Sequence, residues 1–155
     1  MLTLGSPAFE ENGNIPALYT CDGTGINPAL SISGVSSKAK SLVLIVDDPD
    51  IPEFVKESMG ISVFDHWVVF NIPPTVTTFA AGAVPPGIEG NNTRGVAAYR
   101  GPCPPDREHR YFFKLFALDT LLELSVGASR TEIEHAMEGH VLESAELIGR
   151  YDRKK

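Results

Sequence analysis

Leu42-Val43-Leu44-Ile45-Val46-Asp47-Asp48 is an apolar run that ends abruptly on two acids. Strand periodicity puts Leu42, Leu44, Val46 and Asp48 on one face. Two later runs share the design. Phe64-Asp65-His66-Trp67-Val68-Val69-Phe70 carries Phe64, His66, Val68 and Phe70 in phase, and His109-Arg110-Tyr111-Phe112-Phe113-Lys114-Leu115-Phe116-Ala117 carries His109, Tyr111, Phe113, Leu115 and Ala117. The acid closes its run, whereas the histidines open theirs. If the first strand is antiparallel to the other two, Asp48, His66, His109 and Tyr111 meet at one edge of one sheet. A few polar groups at the rim of an apolar core are the usual anatomy of a small-molecule pocket.

Outward from these runs, the pattern continues to favour strands. Val, Ile and Phe enrichment with turn punctuation marks Trp67 to Ile72, Tyr111 to Leu118 and, more weakly, Ala29 to Ser33. Val141 to Tyr151 reads as either helix or strand, with Gly149 and Tyr151 favouring strand. One helix announces itself through the capping box Ser129-Arg130-Thr131-Glu132, followed by Ile133, Ala136 and Met137 at helical spacing and Gly139 to end the turn. A second short helix is expected over Glu53 to Met59. Proline clusters at Pro73-Pro74, Pro85-Pro86-Gly87 and Pro102-Cys103-Pro104-Pro105 mark linkers that cannot donate regular ladder bonds.

The 155 residues suit one domain, 1–155, with 43% hydrophobic and 21% charged residues typical of a folded protein. A formal net charge of -7 argues against nucleic-acid binding, which needs clustered Lys and Arg. No run approaches the roughly 20 apolar residues that cross a bilayer, and no secretion signal is read at the start. Membrane insertion is not expected, and a cytoplasmic location is the default. Cys21 and Cys103 form neither a disulfide framework nor a metal-finger spacing, so both are expected as thiols.

Each polar residue has a plain structural reading beside the chemical one. Asp47-Asp48-Pro49-Asp50 can be a strand terminator, since Asp and Pro favour turns. Three acids so close also raise one another's pKa unless a cation or donor balances them. A lone histidine on an apolar face reads first as a packed core residue. Two histidines and a tyrosine near one carboxylate read differently, because buried imidazoles and phenols need partners. Such a pocket would present N–H and O–H donors to phosphate, sulfate or a carboxylate, with Asp48 compensating charge. His135 and His140 read as structural or exposed, and Arg94 and Arg100 as loop residues.

Taken in order, Asp48-Pro49-Asp50-Ile51-Pro52, His66-Trp67-Val68-Val69-Phe70-Asn71-Ile72-Pro73 and Gly101-Pro102-Cys103-Pro104-Pro105 with His109-Arg110-Tyr111 resemble the phosphatidylethanolamine-binding protein family. The match is nearest to its prokaryotic, Raf-kinase-inhibitor-like branch. Tyr19-Thr20-Cys21-Asp22-Gly23 and Ala136-Met137-Glu138-Gly139-His140-Val141-Leu142 extend it over nearly the whole chain. The resemblance implies a mainly β fold of two packed, largely antiparallel sheets with a few short peripheral helices. It implies a ligand-binding site for phosphate-type head groups at Asp48, Pro52, His66, His109 and Tyr111, with Gly101 and Pro102 lining it. No cofactor and no metal are expected. Arg107 stands where eukaryotic members usually have glycine, either as an added anion contact or pointing to water. Glu53 to Phe64 looks longer than in compact bacterial relatives and is expected as a lid or partner surface.

Three functions compete at this stage. The first is a non-enzymatic binder of small anions; the second is a hydrolase using the Asp and His rim, with or without a metal. The third is inhibition of a protein target such as a kinase or protease, as in some family members. Relatives also suggest a homodimer, although no self-complementary apolar stripe is read here.

Overall fold

The computed structural model describes residues 1–153. Its strands are β1 (Thr3–Gly5), β2 (Gly13–Asn14), β3 (Leu30–Ser33), β4 (Ser41–Asp48), β5 (Phe64–Ile72), β6 (Thr78–Phe79), β7 (Ile88–Glu89), β8 (His109–Leu118) and β9 (Val141–Tyr151). Two α-helices, α1 (Glu53–Met59) and α2 (Arg130–Met137), lie outside them. Among the described residues the strands form two sheets, ordered β1-β3-β6 and β2-β9-β8-β4-β5-β7.

The larger sheet explains why β4 is so apolar. All eight of its residues are buried, because both of its faces are covered. Leu42, Leu44 and Val46 face the smaller sheet, joining Leu4, Leu30, Ile32 and Phe79 in one core. Val43 and Ile45 face the other way, with Val68, Phe70, Leu118 and the α2 residues Ile133 and Met137. The mainly β, two-sheet expectation is met. The antiparallel placement of β4 against both β5 and β8 is met as well.

The helix signals also hold. Ser129 accepts the Glu132 backbone N–H, and the Glu132 side chain accepts the Ser129 N–H, closing the capping box of α2. Val141–Tyr151 resolves as a strand in continuous antiparallel pairing with β8. α1 occupies the expected Glu53–Met59, starting after Pro52 and ending at Gly60, whose φ of 66° is left-handed.

One phase assignment needs correction. The sequence places Phe64, His66, Val68 and Phe70 on one face, but β5 carries two bulges that interrupt its alternation. Val46 pairs with Trp67 while the next residue, Asp47, pairs with Asp65, so His66 is the extra residue. Farther along, Leu42 pairs with Ile72 and Leu44 with Val69; Asn71 sits in this shift at φ 51°. Trp67, Val69 and Ile72 therefore join the inter-sheet core, while Val68 and Phe70 face α2. The first bulge keeps His66 on the inner face despite the phase change. It re-aims the residue that matters.

A second correction concerns the cysteines. Cys21 and Cys103 form a disulfide, with Cα atoms 5.4 Å apart. A sequence separation of 82 hid the pairing, since spacing along a chain says nothing of proximity across a fold. Backbone contacts bring the two segments together: Cys21 N–H donates to the Pro102 carbonyl at 3.1 Å. The Tyr99 hydroxyl donates to the Tyr19 carbonyl at 2.8 Å.

Candidate functional site

The C-terminal end of β4 delivers Asp48, which is buried beside the N-terminal ends of β5 and β8. Its Oδ1 accepts the Asp50 backbone N–H at 2.7 Å, fixing the turn that sequence reading took for a strand terminator. Its Oδ2 lies 2.6 Å from His109 Nδ1. On the other side of that ring, Nε2 lies 2.7 Å from Asp106 Oδ1. Carboxylates accept and do not donate, so two of them on one imidazole call for the doubly protonated ring. Burial opposes that charge, but the Asp48 bond and charge, joined by Asp106, raise the His109 pKa above its ordinary value. Asp106 is held below the usual carboxylate range: its slight burial acts upward, and the His109 bond and charge outweigh it.

His66 is arranged in the opposite way. Its Nδ1 lies 2.7 Å from the Arg100 carbonyl oxygen, which accepts, so Nδ1 carries the proton. The neutral ring then offers Nε2 as an acceptor. Burial is the main cause that pushes its pKa down to about 4; the Arg100 carbonyl and the Asp48 charge only partly offset it. Tyr111 meets the His66 ring edge to face, 5.2 Å between centroids. Its hydroxyl is buried and hydrogen-bonds to nothing among the described residues. Burial first, and then the Asp48 charge, push its pKa up, so it stays a proton donor.

These groups open onto a cavity of about 300 Å³. Asp48, Pro52, His66, Gly101, His109 and Tyr111 line it, as the sequence anticipates. Pro102 does not: it is buried behind the wall, its carbonyl turned to Cys21. Gly101 is needed because a Cβ there would stand 2.6 Å from the Tyr19 carbonyl oxygen. Cys103, Pro104 and Pro105 complete that wall, and the disulfide ties it to the Tyr19 segment. Val55 and Met59 of α1 close the side opposite, so Glu53–Met59 forms a wall of the pocket while Phe54 faces outward.

Sequence reading undervalued four charged residues. Arg94 and Arg100 both reach the lining, and neither guanidinium has a protein partner among the described residues. Asp106, three residues before His109, occupies Nε2; a turn spacing of that kind was the available signal. Asp50 takes a bidentate pair from Arg110, with both N···O distances 2.8 Å, and that bond above all lowers its pKa to about 2. Arg107 donates to the Asp50 carbonyl at 3.3 Å and lies outside the lining, which favours the solvent-facing expectation.

Asp47 points to the opposite face of the sheet. There Arg130 Nη1 bridges Asp47 and Asp65 at 2.7 Å each, with Lys114 3.0 Å from Asp47. The three neighbouring acids thus have three separate counter-charges. A wider cleft of about 640 Å³ runs between Asn14–Ala17, Asp22, Glu108 and Tyr151. Three of its lining residues are already paired, the Tyr151 hydroxyl and Arg153 on Asp22 and Arg150 on Glu108. The smaller cavity is lined by the buried, unpartnered Tyr111 and by the unpaired Arg94 and Arg100. His135 and His140 are exposed, the latter against Asp119 at 2.7 Å.

Comparison with known proteins identifies the fold and the family. The family model for phosphatidylethanolamine-binding protein matches residues 5–152. A UPF0098 protein of Methanothermobacter thermautotrophicus is 51% identical, the alignment covering 98% of this chain and 99% of the relative. Among solved structures, the PEBP homolog CT736 of Chlamydia trachomatis superposes with a TM-score of 0.94 at 44% identity, covering 99% of this chain and 98% of that one. Escherichia coli YbcL, described as a member of the mammalian PEBP family, gives 0.86 at 29% identity over 99% of both chains. The chain belongs to the phosphatidylethanolamine-binding protein family.

Proposed function

We propose that this protein binds a small oxyanion of the phosphate type in the pocket between Tyr111, His66 and the Arg94–Arg100 mouth. The unpartnered Tyr111 hydroxyl carries the reading. A donor buried without a partner costs about 1–3 kcal/mol, and a fold keeps such a group when something supplies the missing acceptor. An anion oxygen is such an acceptor, and the two unpaired guanidiniums at the mouth favour its charge. Asp48 and Asp106 work against a second negative charge near His109, which supports the His66 side as the anion's seat.

The pocket offers a hydrolase no protein nucleophile. Among the lining residues there is no Ser, Thr or Lys, and Cys103 is engaged with Cys21. Titration of inorganic phosphate, followed through the His66 ring resonances, tests binding directly. Saturable shifts of His66 with a quiet His140 support the reading. Silence of His66 at tens of millimolar phosphate rejects it. Affinity should be modest, because about five heavy atoms can contribute only a few kcal/mol.

A further inference from the structure

We propose that the Cys21–Cys103 disulfide is a redox latch on the pocket wall, which a dithiol reductant opens, loosening the hold on a bound anion. The control of affinity rests on the binding reading above; the latch itself does not. The disulfide pins the middle of a short strap, residues 100–106, that runs along the cavity without helix or strand. Each end of the strap holds one pocket histidine. At one end His66 Nδ1–H donates to the Arg100 carbonyl at 2.7 Å, and the Arg100 N–H donates to the His66 carbonyl at 2.9 Å. At the other end Asp106 Oδ1 lies 2.7 Å from His109 Nε2.

Between those ends little else fixes the strap. Three of residues 101–105 are prolines, which have no N–H to donate. Among the described residues this stretch makes one hydrogen bond, from the Cys21 N–H to the Pro102 carbonyl at 3.1 Å. The disulfide beside that bond is the only covalent link to the Tyr19 segment. Gly101 packs closely on the Tyr19 and Thr20 backbone, and Pro102 and Pro104 are buried. Those contacts keep the strap near the core once the sulfurs part. Opening the bond therefore loosens one wall and leaves the sheets intact.

Both half-cystines are exposed, so an incoming thiolate can reach them. Exposed disulfides are the labile ones, open to exchange with other thiols. Attack by one thiolate of a dithiol breaks the S–S bond and forms a mixed disulfide. The second thiolate then displaces the protein sulfur and closes the reductant's own disulfide. Two electrons and two protons pass to Cys21 and Cys103, which end as thiols, and the dithiol is oxidised. The freed strap carries its ends with it. His66 loses the carbonyl that fixes its tautomer, and His109 loses the acceptor on Nε2. Cys103 lines the cavity, so the wall shifts where a ligand would rest.

NMR of the intact protein in millimolar dithiothreitol, without denaturant, tests the latch. Reduction should shift the His66 and His109 ring resonances and leave the ring of His140, paired with Asp119 elsewhere, unmoved. The His109 pKa should fall toward its ordinary value as Asp106 withdraws. Inorganic phosphate should bind the reduced protein about tenfold more weakly, and oxidised glutathione should restore both rings and the affinity. Cys21→Ser with Cys103→Ser should match the reduced protein with no reductant present. A bond that resists dithiothreitol in the folded protein, or reduction that leaves both rings unchanged, overturns the inference. Collapse of the whole spectrum on reduction, His140 included, overturns it too and marks the bond as a structural staple. If the oxidised protein binds no phosphate, the anion reading fails, and the two rings alone decide the latch.

Discussion

The Tyr111 and His66 rings stand edge to face, 79° between planes, yet the Tyr111 hydroxyl is buried at the pocket without a partner among the described residues. Beside it, Asp48 and both nitrogens of His109 are matched, whereas the Arg94 and Arg100 guanidiniums and His66 Nε2 have no partner among the described residues. The contrast separates the part of the site that holds itself together from the part left open.

Removing that hydroxyl should therefore split stability from binding. Tyr111→Phe is expected to unfold at higher urea, by about 1 kcal/mol, because it deletes an unsatisfied buried donor. The same variant should bind phosphate about tenfold more weakly, the loss of one hydrogen bond to a charged acceptor. Paired urea melts and titrations check this. A variant that is less stable with unchanged affinity would mark the tyrosine as packing only.

The two histidines should give stability a maximum in pH. For His66 the folded pKa is about 4 against 6.5 unfolded, so the unfolded chain binds the proton more readily between them. Its contribution is complete above 6.5 and is lost as pH falls toward 4, roughly 3 kcal/mol in all. His109 runs the other way. Its folded pKa is raised, so its contribution is complete below 6.5 and fades as pH climbs through the raised value. His66→Gln should flatten the acid limb and Asp48→Asn the alkaline limb. Denaturant midpoints across pH, with ring titrations by NMR, read both directly.

Asp106 is expected to restrain affinity. It is partly exposed and pairs with His109 Nε2 at 2.7 Å, adding negative charge beside the pocket. Asp106→Asn should tighten phosphate binding about threefold to tenfold, a gain that shrinks with added salt. It should also lower the His109 pKa, since one of its two acceptors no longer carries charge. Weaker binding in this variant would place the anion on the His109 side instead.

Joining Cys21 to Cys103 closes a long loop, and its loss should be costly. Cys21→Ser with Cys103→Ser is expected to lower stability by roughly 4 kcal/mol, following the loop-entropy relation. Because Cys103 belongs to the pocket wall, anion affinity should fall with it. Alkylation under denaturing, non-reducing conditions should find no free thiol in the parent protein. Two reactive thiols there would remove the cross-link from the account.

What could be read from the chain, and what could not, divides along physical lines. Local signals were legible: the capping box of α2, the apolar run of β4 and the polar residues at strand ends all appear where their chemistry puts them. Asp48, His66, His109 and Tyr111 do line one cavity. The bulge at His66 was not legible, because an extra residue in one strand shows only against its partner. His66 came to the right face although its presumed stripe with Val68 and Phe70 was broken. The disulfide and the counter-charges of Asp47, Asp50 and His109 depend on contacts across the fold, from Arg130, Arg110 and Asp106, which no spacing reveals. The protonation of His66 rests on one carbonyl in a distant loop, and it changes this ring from the anticipated donor to an acceptor.

The most direct test of the central claim is the electron density of a crystal soaked in phosphate. The expected result is a tetrahedral peak within about 3 Å of both the Tyr111 hydroxyl and His66 Nε2. A pocket that stays filled by water alone, with phosphate seated elsewhere or nowhere, would contradict it.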